Sequence, residues 1–441
     1  MLRILIGNDF NEHLRDDRGW ATWWVQRLAW FARDGDLLVL PVAPQQAFFD
    51  HVTSLTGTDL ASLRFVVPPA GRHGDAALTA DRLADPRFVA DLRAAIGGRP
   101  VDTVFPLWPD AAVARLSRRL GITDALPGAG FMAQGGGTML NSKVAFRAVA
   151  GGVGAPLPDG AVCAGPEDAA EVLTELLAAT GLAMVKKEFL SGGRGNEILS
   201  RAERLRPVGA RRVVATPDLA SVRSYLADRW DWLSDGGRSS VVVEEYLRDV
   251  TSVFAEFHIG DKDVTFAGQG EMLFAPFGVA EIMPAPGLAP ETVDVLVAAS
   301  MPVCTAVQAM GYRGTLSMDA VVTPDQDVYF TEYNGRITGS THIYEAVGRR
   351  VVGPDYAGER VLMDRVWPSD WTTPSFEDAL ARLTAAGLAY DPATREGVVL
   401  CGAYSEKENS VMHCVVAPTL DAAWERQARV AELFSGAPDH R

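Results

Sequence analysis

Residues 311–342, GYRGTLSMDAVVTPDQDVYFTEYNGRITGSTH, constrain this chain more tightly than any other stretch. Residues 315–322 and 328–334 are two β-rich runs, and Pro324, Asp325, Gln326 and Asp327 supply turn chemistry between them. The pattern predicts a β-hairpin with Asp319 opposite Glu332. Side chains alternate faces along a strand, so Glu332, Asn334 and Arg336 are expected on one face. Two carboxylates and a carboxamide are the hard oxygen ligands that Mg²⁺ takes, with positions left for water and phosphate. The guanidinium of Arg336 suits an anion beside such an ion. A solvated hairpin with its polar groups outward fits the same letters.

Composition narrows the class. A chain of 441 residues, 48% hydrophobic and 22% charged, has ample core for two or three globular domains. The net charge of −15 argues against a general nucleic-acid or anionic-membrane partner, so an anionic ligand needs a locally basic pocket. Cys163, Cys304, Cys401 and Cys414 show neither CxxC nor zinc spacing and read as reduced thiols of a cytoplasmic protein. The opening MLRILIG is too short for a signal core, and no apolar run approaches membrane-spanning length.

In chain order, residues 3–7 read as a buried strand, 8–19 as a polar loop and 20–31 as a helix. Trp20, Trp23, Trp24, Trp30 and Phe31 on that helix fit core packing; a substrate face or a homodimer face is the alternative. Further strands at 37–40, 65–67 and 102–107, the last followed by a helix over 110–120, imply a parallel sheet covered on both sides. No G-x-G-x-x-G follows the first strand. The glycine-rich residues 127–138 read as a domain boundary, and a helix capped by Asn141 follows, with Lys143 in its first turn. That positive charge opposes the helix dipole, so helix stability does not explain it.

Residues 167–179 read as a helix and 182–188 as a strand carrying Lys186, before SGGRGNE at 191–197. Ser191, Gly192, Gly193, Arg194 and Gly195 form a loop whose N–H groups can converge on an anion, with Arg194 and Lys186 adding positive charge. A flexible hairpin turn is the alternative, and the Walker pattern is absent. A helix over 216–233 with Thr216 as cap, a strand at 240–243 running into Glu244, Glu245, Tyr246 and Leu247, and a hairpin of strands 251–259 and 264–268 come next. His258 reads as a buried core histidine. Beyond a helix at 290–310 and the metal-type hairpin, helices are expected near Tyr344, over 358–365 and over 376–386. Strands at 398–404 and 411–416 and a helix at 420–434 close the chain.

The order of these motifs resembles the ATP-grasp superfamily of carboxylate–amine ligases. NSK at 141–143, VKK at 185–187, SGGRG at 191–195, VVEEYL at 242–247 and D…TEYNGR from 319 to 336 carry the likeness, over roughly residues 126–345. The opening MLRILIGNDFNEHL and the whole layout look like the stand-alone peptide ligases of pheganomycin-type secondary metabolism. The resemblance implies an α/β ATP-grasp fold: an N-terminal domain (1–130), a small subdomain with the glycine loop (131–250), a large subdomain with the metal site (251–353) and a C-terminal extension (354–441). It implies Lys143 and Lys186 on ATP phosphates, residues 191–195 as a closing loop, and Glu244, Glu245, Tyr246 and Leu247 at the adenine. It further implies two Mg²⁺ ions on Asp319, Glu332 and Asn334, and Arg336 as a catalytic group, with Lys186, at the transferring phosphoryl. The expected activity joins a carboxylate, as an acyl phosphate, to the amine of a peptide or amino acid. A small-metabolite ligase and a non-catalytic ATP-binding protein are the alternatives. Two positions depart from the family: RDVTS stands where a ribose-binding glutamate is common, leaving Asp249 or Thr251 to replace it, and Gly335 replaces a frequent proline. Residues 8–18, 274–286 and 338–344 are the candidate substrate segments.

Overall fold

The computed structural model describes residues 2–8, 22–201 and 205–435. The expected loop beyond Asn8, and Trp20, lie outside the described residues.

The first sheet contains β1 (Leu2–Ile6), β2 (Leu37–Val39), β3 (Arg64–Val66) and β4 (Val101–Pro106). Its order is β3-β2-β1-β4 and every pairing is parallel. Helices cover both faces, which is why β1 reads LRILI without clear alternation. The helices of at least eight residues here are α1 (Gln46–Thr56), α2 (Pro86–Ile96) and α3 (Ala111–Leu120). Asp110 caps α3 by accepting from the Val113 N–H at 2.9 Å, and Gly121 ends it at φ 75°. Residues 22–31 are not one α-helix: a turn at Thr22–Val25 tightens into a 3-10 helix at Gln26–Phe31. Residues three apart eclipse in that form, which puts Arg27 and Trp30 together on the buried side. The Trp30 indole donates to the Cys401 carbonyl at 2.9 Å, tying this segment to the C-terminal strands.

Next come α4 (Lys143–Gly152), β5 (Gly160–Cys163), α5 (Pro166–Ala179), β6 (Leu182–Lys187), β7 (Asn196–Ser200), β8 (Val213–Ala215), α6 (Leu219–Leu233) and β9 (Val241–Glu245). The sheet order is β5-β9-β6-β7-β8. Leu173, Leu177, Val222 and Leu226 of α5 and α6 pack on Val185 and Val243. Alternation then turns Met184, Lys186 and Glu244 to the other face, where they line a cavity. Two caps differ from expectation by one or two residues. Ser142, not Asn141, caps α4 by accepting from the Ala145 N–H, and Asp218, not Thr216, caps α6 in a capping box with Ser221. Asn141 instead donates to the Gly137 carbonyl at 2.8 Å and accepts from Arg336 at 3.1 Å.

The third sheet has eight antiparallel strands in the order β14-β13-β10-β11-β12-β15-β17-β16. They are β10 (Thr251–Ile259), β11 (Val264–Phe274), β12 (Gly278–Met283), β13 (Gly314–Val322), β14 (Val328–Asn334), β15 (Val361–Val366), β16 (Gly397–Leu400) and β17 (Met412–Ala417). Helices α7 (Pro290–Ala309), α8 (Phe376–Ala385) and α9 (Leu420–Phe434) accompany them. Three expectations fail here. Residues 278–283, read within a loop, form β12. The helix expected over 358–365 is mostly β15, an interior strand with its centre buried, where a short apolar run carries no period to separate strand from helix. His258 is exposed: Val253, Ala255, Phe257 and Ile259 take the core face, and residue 258 lies on the other face beyond its cover.

Among the described residues, α7 is the one helix long and apolar enough to cross a membrane by length and composition, which corrects the sequence reading. Its Leu296, Val303, Cys304 and Val307 join a core with Val253, Phe257 and Leu316. All four cysteines are free and buried.

The glycines at the expected boundary form a joint rather than an open linker. A Cβ on Gly137 would stand 1.6 Å from the Pro109 carbonyl oxygen, so only glycine lets the chain before Asn141 pass the loop that carries Trp108. Gly137→Ala is expected to lower unfolding stability by about 2–3 kcal/mol, by overpacking against backbone. Urea denaturation checks this; an unchanged midpoint would contradict the close approach.

Candidate active site

The hairpin forms, with Asp319 paired to Glu332. One feature of it was not legible. A bulge follows, since Ala320 pairs with Phe330 and Thr331 is the extra residue. Val328, Phe330 and Tyr333 all lie in the core. Unbroken alternation would have put Glu332 in the core with Phe330; the bulge turns Glu332 and Asn334 to the cavity beside Asp319.

These side chains hold one another. Ser317 donates to Asp319 Oδ1 at 3.0 Å and Asn334 Nδ2 to Asp319 Oδ2 at 3.1 Å. Arg336 donates from Nη2 to Asn334 Oδ1 at 3.0 Å and from Nε to Asn141 Oδ1 at 3.1 Å, with its guanidinium 5.1 Å from the Trp108 ring centre. The Gly335 N–H donates to the Leu140 carbonyl at 2.9 Å, a bond a proline could not make. Lys143 Nζ lies 2.7 Å from Glu332 Oε2 and 2.7 Å from the Leu190 carbonyl. Lys186 pairs with Glu244, whose other oxygen meets Arg147 at 3.0 Å.

Burial and the Glu332 charge push the Asp319 carboxyl well above the usual carboxylate range. Burial also raises Glu332, but Lys143 and Lys186 outweigh it and hold that group below its ordinary value. Two facing carboxylates that cannot both ionise cheaply make a place for a hard cation. No group of three His, Cys, Asp or Glu suited to a metal stands among the described residues. The donor set is two carboxylates and one carboxamide, which fits Mg²⁺ completed by phosphate and water.

One cavity of about 590 Å³ gathers these groups. Lys143, Lys186, Ser191, Gly192, Gly193, Glu244, Glu245, Tyr246, Leu247, Asp319, Glu332, Asn334 and Arg336 line it; Arg194 and Gly195 do not. Arg194 instead stacks on Phe277, 4.6 Å from its ring centre. The Gly209 N–H donates to the Pro276 carbonyl at 2.8 Å, and a Cβ on Gly193 would stand 2.6 Å from Gly209. The glycine loop therefore rests, through residue 209, on the turn between β11 and β12. Of the two residues expected to replace the ribose glutamate, Asp249 lines the cavity and Thr251 does not.

Several lining residues were missed. Glu281 and Asp364 are partners across β12 and β15. Glu281 lay in the segment read only as a substrate loop, and Asp364 in the one read as a helix. Glu281 Oε2 and the indole nitrogen of Trp108 are buried with no hydrogen-bond partner. Trp24, core-like in its spacing, also lines the cavity. Glu256, fully buried, accepts from the hydroxyls of Thr338, Ser340 (3.1 Å), Thr341 (2.9 Å) and Tyr344 (2.6 Å). It anchors the segment after Arg336, whose Thr338, Gly339 and Ser340 form part of the wall.

Comparison with known proteins agrees with this architecture. Residues 25–122 match the family model of the pre ATP-grasp domain, and residues 378–430 that of the PGM1 C-terminal domain. The chain is 26% identical over 351 residues to the L-propargylglycine–L-glutamate ligase of Streptantibioticus cattleyicolor, covering 72% of this chain and 67% of that protein. Its fold is similar to N5-carboxyaminoimidazole ribonucleotide synthetase in its ADP complex, with TM-score 0.59, 12% identity, and 97% and 95% of the two chains covered. It is also similar to biotin carboxylase of Campylobacter jejuni in its β,γ-ATP complex, with TM-score 0.59, 15% identity, and 98% and 91% covered. The chain has the ATP-grasp fold. These likenesses support an ATP-dependent ligase.

Burial raises Asp364 from an ordinary 3.8 to about 7. Between those values the folded protein binds more protons than the unfolded chain, so this group costs stability as pH rises. Asp364→Asn is therefore expected to gain on the parent between about pH 4 and about pH 8, measured by urea midpoints. Parallel pH curves for the two proteins would contradict it.

Proposed function

We propose that this protein is an ATP-dependent ligase that joins the carboxylate of an amino acid to the amine of a peptide, through an acyl phosphate, in secondary metabolism. The convergence of Lys143, Lys186 and the Asp319–Glu332–Asn334–Arg336 hairpin on one cavity carries this reading. The likeness to the L-propargylglycine–L-glutamate ligase supports it and favours a second form of the same reading, in which both substrates are free amino acids. The four segments 1–130, 131–250, 251–353 and 354–441 are the proposed functional units, in a cytoplasmic protein.

The chemistry follows from charge. A carboxylate is a poor electrophile and repels the γ-phosphate. Lys143 and Lys186, now paired with Glu332 and Glu244, exchange those partners for phosphate oxygens when ATP enters. Glu245, Tyr246 and Leu247 border the adenine, and Asp249 the ribose. Asp319, Glu332 and Asn334 would hold Mg²⁺, which would supply charge neutralisation at the phosphates. Arg336, held in plane by Asn141 and Asn334, lies where the substrate carboxylate meets the γ-phosphoryl group and stabilises the oxyanion as the amine attacks. The loop containing Ser191, Gly192 and Gly193 excludes water, which would hydrolyse the acyl phosphate.

The test is ADP and phosphate release with Mg-ATP over pairs of amino acids and short peptides, L-propargylglycine and L-glutamate included. Release that needs both an acid and an amine, with a new amide mass, supports the ligase. Tight ATP binding without release over the whole panel would contradict it. Arg336→Ala is expected to lower kcat about 100-fold while ATP affinity stays within about threefold; equal losses in both would remove its transition-state role. Glu332→Gln is expected to weaken Mn²⁺ binding about tenfold, followed by the free-ion EPR signal, and an unchanged titration would take Glu332 out of the metal site.

A further inference from the structure

The same cavity is lined by two acidic groups, Glu281 and Asp364, that the proposed nucleotide and metal chemistry leaves unused. Glu281 and Asp364 face each other on neighbouring antiparallel strands, so their side chains stand about 5 Å apart at Cβ. Asp364 is 4% exposed; the Cys401 thiol lies 3.1 Å from its Oδ1 and the Arg365 backbone N–H also donates to it, and neither partner is a cation. Glu281 Oε2 has no hydrogen-bond partner. Buried carboxylates without a cation are costly, and a site that keeps two of them in register suits a cationic ligand. Arg336 offsets that cost only in small part: its charge acts on Glu281 more weakly than burial and the neighbouring carboxylates do, and no hydrogen bond joins it to either group.

A second observation points to the rest of the ligand. Trp108 is 2% exposed, lines the same cavity and carries a buried indole N–H with no acceptor. That donor, beside the Arg336 guanidinium, suits an oxygen of a carboxylate. The cavity therefore offers donors for a carboxylate at Trp108 and Arg336, and acceptors for an ammonium at Glu281 and Asp364, with Arg336 near enough to Glu281 for their charges to interact. Farther along β15 and β17, the paired Val366 and Met412 add an apolar wall.

We infer that Glu281 and Asp364 hold the α-ammonium group of the amino acid whose carboxylate, placed against Arg336 and Trp108, is activated. This rests on the ligase reading only for the word activated; the recognition of a free α-amino acid stands apart from it. Burial raises both carboxyls, and an ammonium between them offsets that cost. The site thereby selects amino acids over plain carboxylic acids and leaves the N-acylated end of a peptide outside.

The test uses the full chain with ADP and Mg²⁺ and the probes L-norvaline and pentanoate, which differ by the ammonium group alone. Calorimetric titration is expected to show L-norvaline binding at least about tenfold tighter than pentanoate. Glu281→Gln and Asp364→Asn are each expected to erase most of that preference while ADP affinity stays near the parent value and neither variant melts below the parent. Equal binding of the two probes, binding of neither, or a preference that survives both substitutions would overturn the inference. With any substrate pair that releases phosphate, Glu281→Gln is expected to raise KM for the acid and leave KM for the amine unchanged; a rise confined to the amine would overturn the assignment to the activated acid. Should no pair release phosphate, the ligase reading falls while the norvaline preference still decides the subsite.

Discussion

The contact between Lys143 and Glu332, 2.7 Å long and mostly buried, is the interaction on which the site depends. It joins the N-terminus of α4, which leads away from the glycine joint, to the hairpin at the edge of the eight-stranded sheet. The Lys186–Glu244–Arg147 group does the same work on the five-stranded sheet. Removing one partner of a buried pair typically costs about 3–5 kcal/mol, so each group fixes its surroundings strongly. The second group holds two cations to one carboxylate, a local excess of positive charge in an acidic chain.

Placement of these charges rests on backbone features. The bulge at Thr331 sends Glu332 and Asn334 to the cavity while Phe330 and Tyr333 stay in the core. Leu140, just before Asn141, accepts from Gly335, just before Arg336, so α4 and the hairpin stay in register. Glu256 gathers four hydroxyls behind residues 338–344 and stiffens the segment that follows. Against this rigid floor the glycine loop makes lighter contacts, among them the stack of Arg194 on Phe277 and a long 3.4 Å hydrogen bond from Arg211 to the Arg194 carbonyl. Contacts of that modest kind suit the proposed role, in which this loop opens for nucleotide and closes for chemistry.

Much of this was legible in the letters. The hairpin could be read because strand-forming residues flank an obvious turn, and Asp319 and Glu332 were placed opposite each other on that basis. Their shared face was right for an incomplete reason, since pure alternation would have buried Glu332 and only the bulge corrects it. Glu281 and Asp364 could not be found, because their strands are short or mostly buried and carry no period. Arg194 illustrates the opposite error. A positive charge in a glycine loop suggested a phosphate, but a neighbouring aromatic ring, far away in sequence, took it. Caps were misplaced by a residue or two because several adjacent residues could serve, and packing chose among them.

The central claim is that this cavity passes the γ-phosphoryl group of ATP to a carboxylate held at Arg336. The direct measurement is isotope transfer. An amino acid that supports turnover, labelled with ¹⁸O in its carboxylate, is incubated with ATP, Mg²⁺ and the amine, and the phosphate released is read by ³¹P NMR. The account predicts one ¹⁸O atom in each phosphate, carried across when the amine displaces it from the acyl phosphate. Unlabelled phosphate alongside amide product would contradict it, because the carboxylate oxygen would never have bonded to phosphorus.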